Sequence, residues 1–457
     1  MNSSSSSSSL SSSSSRTNFP SHFRLEDLIR PNILNLKPYR CARDDYDRGI
    51  LLDANENSLG SSLSPVDRNQ GIDSKSKVEA SLSIDNHKLD LSNLTLHRYP
   101  SPVNLPIKQN LCNYRNLYSD QSDLKQLEPS NVFLGVGSDE ILDLLFRITC
   151  KPGHADGSGD RVIVTPPTYG MYSVCAQVND VGLIKVPLIT RGGAFTLDLD
   201  QVKLLSKKRI IILSQINLQI NHSSSSSIKL IILCSPGNPT GTTIPIESMI
   251  KILLNPNFKG LLVVDEAYID FTDQSKSSLQ LVRKGWKNLI VVQTLSKAFG
   301  LAGIRLGAAY GSEELIQILN NTKAPYSISS PTSTLAYTAT LPEFLIKSSS
   351  NIEEIKRNRE WLISKLKGLK DMGDILGSNE ANFVLIQVRG YGSDLPDSNR
   401  AKKVYNHMAR LDEPEAIVVR YRGDDFGCEG CLRITVGSKE DCEKVVERLK
   451  QTLELEL

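Results

Sequence analysis

The sequence lacks an excess of charge of either sign. Its 457 residues include 53 Lys and Arg against 51 Asp and Glu, so the formal net charge at pH 7 is +2. Proteins that bind nucleic acids or anionic membranes usually carry a basic excess or a basic run. We therefore expect no nucleic-acid or membrane partner, and instead small-molecule substrates and a second copy of the same chain.

Long hydrophobic runs are also absent. The most apolar stretches, "LLVVDEAY" and "KLIILCSPG", are short and end in polar residues, whereas a membrane-spanning helix needs about 20 apolar residues. Residues 1–23 are mostly serine and have no apolar core of the kind that a secretory signal contains. We expect this segment to be a disordered tail and the protein to be cytoplasmic.

Regularly spaced cysteines are the third absence. Eight cysteines are scattered along the chain, which favours reduced thiols over a disulfide framework. Cys428 and Cys431 form a single C-x-x-C pair, and a structural zinc would need further ligands from a second pair or from histidines. We expect no metal site, with zinc binding or redox chemistry at this pair as the alternative.

Between about residues 131 and 310, short apolar runs alternate with helix-length amphipathic stretches. Because the apolar runs are continuous, each predicted strand is buried on both faces. This pattern predicts an α/β fold with a mainly parallel sheet between layers of helices. The sequence after it predicts a long helix at residues 351–369 and then a smaller α+β region.

The predicted organisation has four parts and two insertions. The insertions are polar and Ser-rich, a composition typical of exposed loops. The parts are a tail at 1–23, an arm with part of a small domain at 24–95 that includes an exposed insertion at 61–92, a large domain at 96–335 that includes a loop insertion at 214–228, and a C-terminal small domain at 336–457.

Polar side chains follow several of the predicted strands. The stretch "LGVGSDEILDLLFR" places Ser138, Asp139 and Glu140 at the start of an amphipathic helix, directly after a strand. Backbone amides at such a helix start can bind an anion, most often phosphate. Ser and Asp are equally common as ordinary helix caps, so that interpretation stays open.

Asp265 and Asn238 stand after two further apolar runs. The stretch "LVVDEAYIDF" ends a strand on Asp265 and places Tyr268 shortly after it, and "CSPGNPTG" places Asn238 in a loop stiffened by prolines. A carboxylate at the end of a buried strand is costly to desolvate unless it meets a cation or hydrogen-bond donors. These residues indicate a ligand site, with helix capping by Asp265 as the alternative.

Lys297 occupies a similar position in "VVQTLSKAFGLAGIRLG". Desolvation and neighbouring cations lower the pKa of a lysine amine, which can then attack an aldehyde. Thr294, Ser296 and Arg305 around it would suit a phosphate through two hydroxyl groups and a guanidinium. An aldehyde, a phosphate and a carboxylate for a ring nitrogen together describe pyridoxal 5′-phosphate.

The order of these motifs resembles the fold-type I aminotransferases. The set "GSDE", "PPTYGMY", "SPGNPTG", "DEAYIDF", "TLSKAFGLAGIRLG" and "CLRITVG" follows that order. "LLDANENSLG", "HRYPSP", "PYRCARDD" and "YRGDDFGCEGCLRITVG" are similar to the histidinol-phosphate aminotransferase family in its fungal form. The resemblance extends from about residue 24 to the end, apart from the two insertions.

The resemblance implies a fold-type I architecture, in which a large domain with a seven-stranded type of sheet binds pyridoxal 5′-phosphate beside a smaller α+β domain. Lys297 would bond to the cofactor and move the proton at the substrate Cα, and Asp265 would pair with the ring nitrogen. Asn238 and Tyr268 would hydrogen-bond the phenolic oxygen, and Tyr169 would stack on the ring. The residues implied at the cofactor phosphate are Ser138, Asp139, Glu140, Thr294, Ser296, Arg305 and, from a partner subunit, Tyr99.

On the substrate side, the same resemblance implies Arg433 for a carboxylate and Arg420 with Tyr39 for a phosphate ester, together with Asn55 and Asn382. The implied enzyme is a homodimer of histidine biosynthesis that exchanges the amino group between histidinol phosphate and 2-oxoglutarate. An aromatic aminotransferase, a lyase resembling threonine-phosphate decarboxylase and a regulator that senses pyridoxal phosphate are the alternatives.

Overall fold

The computed structural model describes residues 22–34, 81–84, 87–90, 94–118, 124–153, 158–197, 228–409 and 416–455. Tyr39 and Asn55 lie outside these residues. So do nearly all of the Ser-rich tail and of the loop insertion at 214–228, and most of the arm at 24–95 with its insertion at 61–92.

Thirteen strands lie within the described residues: β1 (Ser81–Ile84), β2 (His87–Asp90), β3 (Val132–Val136), β4 (Arg161–Val164), β5 (Gly182–Lys185), β6 (Ile228–Cys234), β7 (Leu261–Asp265), β8 (Leu289–Thr294), β9 (Leu306–Gly311), β10 (Met372–Leu376), β11 (Phe383–Val388), β12 (Arg420–Tyr421) and β13 (Cys431–Thr435).

The same part of the chain contains twelve α-helices: α1 (Leu25–Leu28), α2 (Pro31–Leu34), α3 (Leu105–Asn116), α4 (Gly137–Thr149), α5 (Met171–Val178), α6 (Ile246–Leu253), α7 (Leu279–Arg283), α8 (Glu313–Thr322), α9 (Ser330–Ala339), α10 (Pro342–Leu366), α11 (Ser398–Met408) and α12 (Lys439–Glu454). Each of these helices is too short or too polar to cross a membrane.

Seven strands form one sheet in the order β3-β9-β8-β7-β6-β4-β5. Neighbouring strands are parallel from β8 through β7, β6 and β4 to β5, whereas β9 is antiparallel to both β3 and β8. The predicted α/β fold with a mainly parallel sheet is therefore confirmed.

Strand β7 shows how the sheet is covered. Its side chains alternate between two separate hydrophobic cores, with Leu262 and Val264 in one and Leu261 and Val263 in the other. Successive side chains of a strand point to opposite faces of the sheet, so both faces are buried. This arrangement fixes the backbone of the strand up to Asp265, its last residue.

Four strands form a second, antiparallel sheet in the order β10-β11-β13-β12. Side chains of α10, α11 and α12 pack against it, including Leu362, Val404 and Leu449. The predicted long helix is present as α10, although it begins earlier than the apolar spacing indicates. Pro342 stands at its start, a position where the fixed backbone angle of proline suits a helix.

The two sheets meet through a small cluster of side chains. Phe383 of β11 packs edge-on against Tyr268, with ring centroids 5.2 Å apart, and Ile352 of α10 belongs to the same buried cluster. The contact sets the face of the four-stranded sheet against the carboxyl ends of β6 and β7.

The predicted insertion at 61–92 contains a described strand pair, β1 and β2, which is antiparallel. The predicted boundary between residues 335 and 336 falls inside α9, which continues across it. The division of the chain into domains stays a prediction.

Candidate active site

The carboxyl ends of three neighbouring parallel strands bring the candidate residues together. Asp265 is the last residue of β7 and Thr294 the last of β8, and the loop after β6 carries Asn238. Ligands of open parallel sheets bind at this edge.

Asp265 is held by hydrogen bonds on both oxygens. The Tyr172 hydroxyl donates to Oδ2 at 2.7 Å, and the Ala267 backbone N–H donates to Oδ1 at 3.2 Å. Burial raises the pKa of Asp265 to about 6, although the hydrogen bond from Tyr172 opposes this effect. The carboxylate is therefore buried, oriented and still mostly ionised at neutral pH.

Tyr169 links this carboxylate region to the start of α4. Its ring meets that of Tyr172 edge-on at 5.7 Å, and its hydroxyl donates to Oδ1 of Asp139 at 3.1 Å. The other oxygen of Asp139 lies 3.4 Å from Nη2 of Arg305. Asp139 thus connects Tyr169, which is predicted to stack on the cofactor ring, to the guanidinium of Arg305.

The start of α4 and the turn after β8 together form a cluster of polar groups, which we call the cradle. Arg305 lies beside it. Nη1 of Arg305 lies 3.5 Å from Oγ of Ser296, which is 2.9 Å from Oγ1 of Thr294. Gly137 has φ +72°, and a Cβ there would lie 2.7 Å from Nη2 of Arg305. Glycine is therefore required for the guanidinium to pack against the first turn of the helix.

Ser138, Asp139 and Glu140 all lie in the first turn of α4. The side chain of Glu140 contacts the backbone of the residue that precedes the helix. Its Oε2 accepts a hydrogen bond from the Val136 N–H at 2.5 Å. The carboxylate therefore fixes the junction between β3 and α4. A direct role for Glu140 toward a ligand stays a prediction.

Lys297 lies just beyond β8, and although the residue as a whole is exposed, neighbouring groups partly desolvate its amine. Its Nζ is 5.7 Å from the centroid of the Tyr268 ring. Desolvation and the positive charge of Arg433 lower the pKa of Lys297, although the charges of Asp139 and Asp265 oppose this shift. At neutral pH, the amine is thus free of its proton more often than an ordinary lysine.

Asn238 meets two arginines from the four-stranded sheet and the loop beside it. Its Oδ1 accepts from Nη1 of Arg433 at 2.6 Å and from Nη2 of Arg422 at 3.4 Å. The Arg433 guanidinium also lies 5.2 Å from the centroid of the Phe383 ring. Burial and the charge of Arg422 lower the pKa of Arg433.

Three predicted residues lie outside this network of contacts. Tyr99 is 54% exposed, and its ring stacks on that of Tyr326 at 4.7 Å. Arg420 is exposed and directly opposite Arg433 in the pairing of β12 with β13. The carbonyl of Asn382 accepts from the Val436 N–H at 2.9 Å.

Sequence reasoning missed Tyr172, Arg422 and Phe383. Tyr172 belongs to the quoted motif "PPTYGMY", and a fully buried tyrosine usually requires a partner for its hydroxyl. Arg422 stands two residues after Arg420, a spacing that places both on one face of a strand. The sequence therefore marks these residues as candidates, but it does not indicate which distant residue each of them contacts.

No group of three or more metal-ligating side chains occurs in the described part of the chain. Cys428 and Cys431 are both buried, free thiols. The hydrogen bond with Cys428, together with burial, raises the pKa of Cys431, which lowers the reactivity of that thiol.

The sequence matches the family described as aminotransferase class I and II over residues 49–449. The chain belongs to this family. It is 41% identical to the histidinol-phosphate aminotransferase of Schizosaccharomyces pombe over 435 residues, which cover 94% of this chain and 98% of that protein. The enzyme of the same name from Candida maltosa is also 41% identical, over 433 residues and with the same coverage.

Solved structures share the fold of this aminotransferase. The histidinol-phosphate aminotransferase of Sinorhizobium meliloti, solved in complex with pyridoxal 5′-phosphate, superposes with a TM-score of 0.60 at 19% identity. The superposition covers 78% of this chain and 83% of that one. The predicted fold-type I architecture is thereby confirmed.

Proposed function

We propose that this chain is a pyridoxal 5′-phosphate-dependent histidinol-phosphate aminotransferase of histidine biosynthesis. It transfers the amino group between L-histidinol phosphate and 2-oxoglutarate, giving imidazole acetol phosphate and L-glutamate. The curated relatives with this activity support the substrate. The geometric observation that carries the proposal is the buried, oriented Asp265 at the same strand edge as Lys297, an amine of lowered pKa.

The residues at this edge fit the cofactor. A phosphate fits the cradle, where the first turn of α4 offers backbone amides and Arg305 offers a guanidinium held next to Ser296. A ring nitrogen that carries a proton fits beside Asp265, because a cation offsets the cost of burying that carboxylate. The aromatic face of Tyr169 suits a planar ring, and its hydroxyl is anchored on Asp139.

When bound, pyridoxal 5′-phosphate supplies an aldehyde that bonds to amines and a ring that withdraws electrons from the substrate Cα. Lys297 has two tasks. Its amine would hold the aldehyde of the cofactor, and in the reaction its Nζ would take up the proton from the substrate Cα and carry it until it is delivered to the product. The lowered pKa serves both tasks, since only the unprotonated amine can perform them.

Asp265 contributes a fixed negative charge. It keeps a proton on the ring nitrogen, and Tyr172 keeps its Oδ2 oriented. Asn238 accepts hydrogen bonds from Arg433 and Arg422, and Tyr268 lies beside Lys297. Both residues would hydrogen-bond the phenolic oxygen, as the resemblance implies. Arg433 and Arg420 are positively charged groups on the same sheet face and suit the anionic ends of the substrates.

An assay of the purified protein with 2-oxoglutarate tests the function. Histidinol phosphate, histidinol, tyrosine and threonine phosphate are each offered as the amino donor, and glutamate is measured. We expect histidinol phosphate to give the highest kcat/KM. A higher value with tyrosine would assign the chain to aromatic aminotransferases, and release of carbon dioxide from threonine phosphate would assign it to decarboxylases.

The proposed enzyme is a homodimer in which Tyr99 reaches the cofactor phosphate of the partner subunit. The exposure of Tyr99, Val103 and Leu105, at 54%, 51% and 53%, supports an apolar contact surface there. A cytoplasmic location stays a prediction.

Mixing two inactive variants tests the shared site. Lys297→Ala and Tyr99→Ala chains should each be severely impaired alone. After random reassortment, half of the dimers are heterodimers with one intact site each, so activity should recover to about a quarter of the parental value. Heterodimers verified by a tag on one chain, yet no more active than the mean of the two variants, would contradict the shared site.

A further inference from the structure

Two guanidinium groups converge on one neutral oxygen at the substrate side of the candidate site. Nη1 of Arg433 and Nη2 of Arg422 lie 2.6 and 3.4 Å from Oδ1 of Asn238. Both side chains are partly buried. An amide dipole compensates two positive charges poorly, and partial burial makes the remaining repulsion stronger than in water. This arrangement favours the binding of an anion.

Asp425 forms an ion pair with Arg422. Its Oδ2 is 3.2 Å from Nη1 of Arg422, three residues away in the same loop, and its side chain is 35% exposed. A local ion pair with this much exposure contributes little to stability, because solvent screens it. Arg422 can therefore leave Asp425 for a stronger anionic partner at little cost.

The two arginines share a face of the sheet with Arg420. Arg420 is paired directly with Arg433, and the Arg422 N–H donates to the Cys431 carbonyl at 2.8 Å, which continues the ladder. Side chains two residues apart on a strand point to the same face. The charge of Arg433 also reaches Lys297, whose pKa it lowers. An anion bound on this face is thus close to the reacting amine.

We propose that Arg422 is a specificity-determining residue that completes a two-guanidinium site for the phosphate group of the amino donor. The inference rests on the proposed function, in which one site accepts a phosphate ester in one half-reaction and a carboxylate in the other. A phosphate carries close to two negative charges and three acceptor oxygens, enough for two guanidiniums. A carboxylate is satisfied by one guanidinium in a bidentate contact. Arg433 therefore serves both substrates, and Arg422 serves the phosphate.

Single-turnover measurements of the two half-reactions test this assignment in the cofactor-loaded dimer. For Arg422→Gln, the apparent dissociation constant of histidinol phosphate should rise about tenfold to a hundredfold, the usual range for a lost charge-assisted hydrogen bond. The value for glutamate should change less than about threefold, because its carboxylate keeps Arg433. The inhibition constant of inorganic phosphate should rise with that of the substrate.

Two further variants separate recognition from folding. Arg422→Lys keeps the positive charge but lacks the planar guanidinium that binds two oxygens at once. Its affinity for histidinol phosphate should therefore lie between those of Arg422→Gln and the parental protein. Arg389→Gln removes an arginine directly after β11, one that pairs with Asp394 at 3.5 Å, and should leave both half-reactions unchanged.

The outcomes distinguish this inference from the proposed function. If the parental protein does not transaminate histidinol phosphate, the function is wrong and the inference fails with it. If the parental protein does so, but Arg422→Gln weakens both substrates equally or neither, the function stands and the role of Arg422 is overturned. A loss confined to histidinol phosphate and inorganic phosphate supports the inference.

Discussion

The two sides of the candidate site are built in different ways. On one side, Asp265 and Thr294 end β7 and β8, neighbouring strands of the seven-stranded sheet in which every residue is buried. On the other side, Arg433 comes from β13, an inner strand of the four-stranded sheet, and Arg422 from the loop after the edge strand β12. Both side chains reach Asn238. Under the proposed function, the covered sheet carries the groups that both half-reactions use. The second sheet then carries the groups that contact substrates of different shape.

Asp265→Asn tests the first side and should have the largest effect. The fixed charge acts on the cofactor, so its loss should slow both half-reactions by a similar factor, about 10²- to 10³-fold, as for other preorganised electrostatic groups. Single-turnover rates with histidinol phosphate and with glutamate measure this. A loss confined to one substrate would show that Asp265 acts in substrate binding instead.

Arg433→Gln tests the second side. Removing a charge-assisted contact should lower kcat/KM for both substrates by about tenfold to a hundredfold, mainly through KM. The amount of bound cofactor should stay unchanged, since none of the groups proposed to hold its phosphate or its ring nitrogen is altered. Arg389→Gln is the matched control. Loss of bound cofactor in Arg433→Gln would contradict the separation of the two sides.

Tyr172→Phe should have the smallest effect and concerns the first side. Loss of its 2.7 Å hydrogen bond should lower kcat about tenfold, the cost of leaving one buried acceptor without its donor. The pKa of Asp265, about 6 with Tyr172 present, should rise, because that hydrogen bond favours the charged form. The acidic limb of the kcat profile should therefore move to higher pH.

Tyr310→Phe is the control for this shift, because Tyr310 is a tyrosine buried elsewhere in the seven-stranded sheet. An acidic limb that stays in place in Tyr172→Phe, or that moves equally in Tyr310→Phe, would show that Tyr172 does not tune Asp265.

The sequence predicts the positions of some site residues but not the residues they contact. Asp265 and Lys297 could be predicted because each follows a continuous apolar run, and a polar residue at the end of a buried strand is visible in the local pattern. The partners of these residues are not local. Tyr172 stands 93 residues from Asp265, and Arg422 stands 184 residues from Asn238. Periodicity assigns a side chain to a face, but only the packing of elements decides which faces meet.

The four-stranded sheet was harder to predict for a second reason. Its strand β12 spans only Arg420–Tyr421, too short for an alternating pattern to be recognised. The α/β fold, in contrast, rests on several long apolar strands whose signals agree with one another.

We propose that Lys297 is the lysine that bonds to the cofactor. Burial also lowers the pKa of Lys108, to about 8, and that of Lys323, so a lowered pKa alone does not single out Lys297. Borohydride reduction of the loaded protein fixes the cofactor to its lysine, and peptide mass spectrometry then locates it. We expect one labelled peptide in the parental protein, the one that contains Lys297, and no labelled peptide in Lys297→Ala. Label on Lys108, on Lys323 or on any other lysine of the parental protein would contradict it.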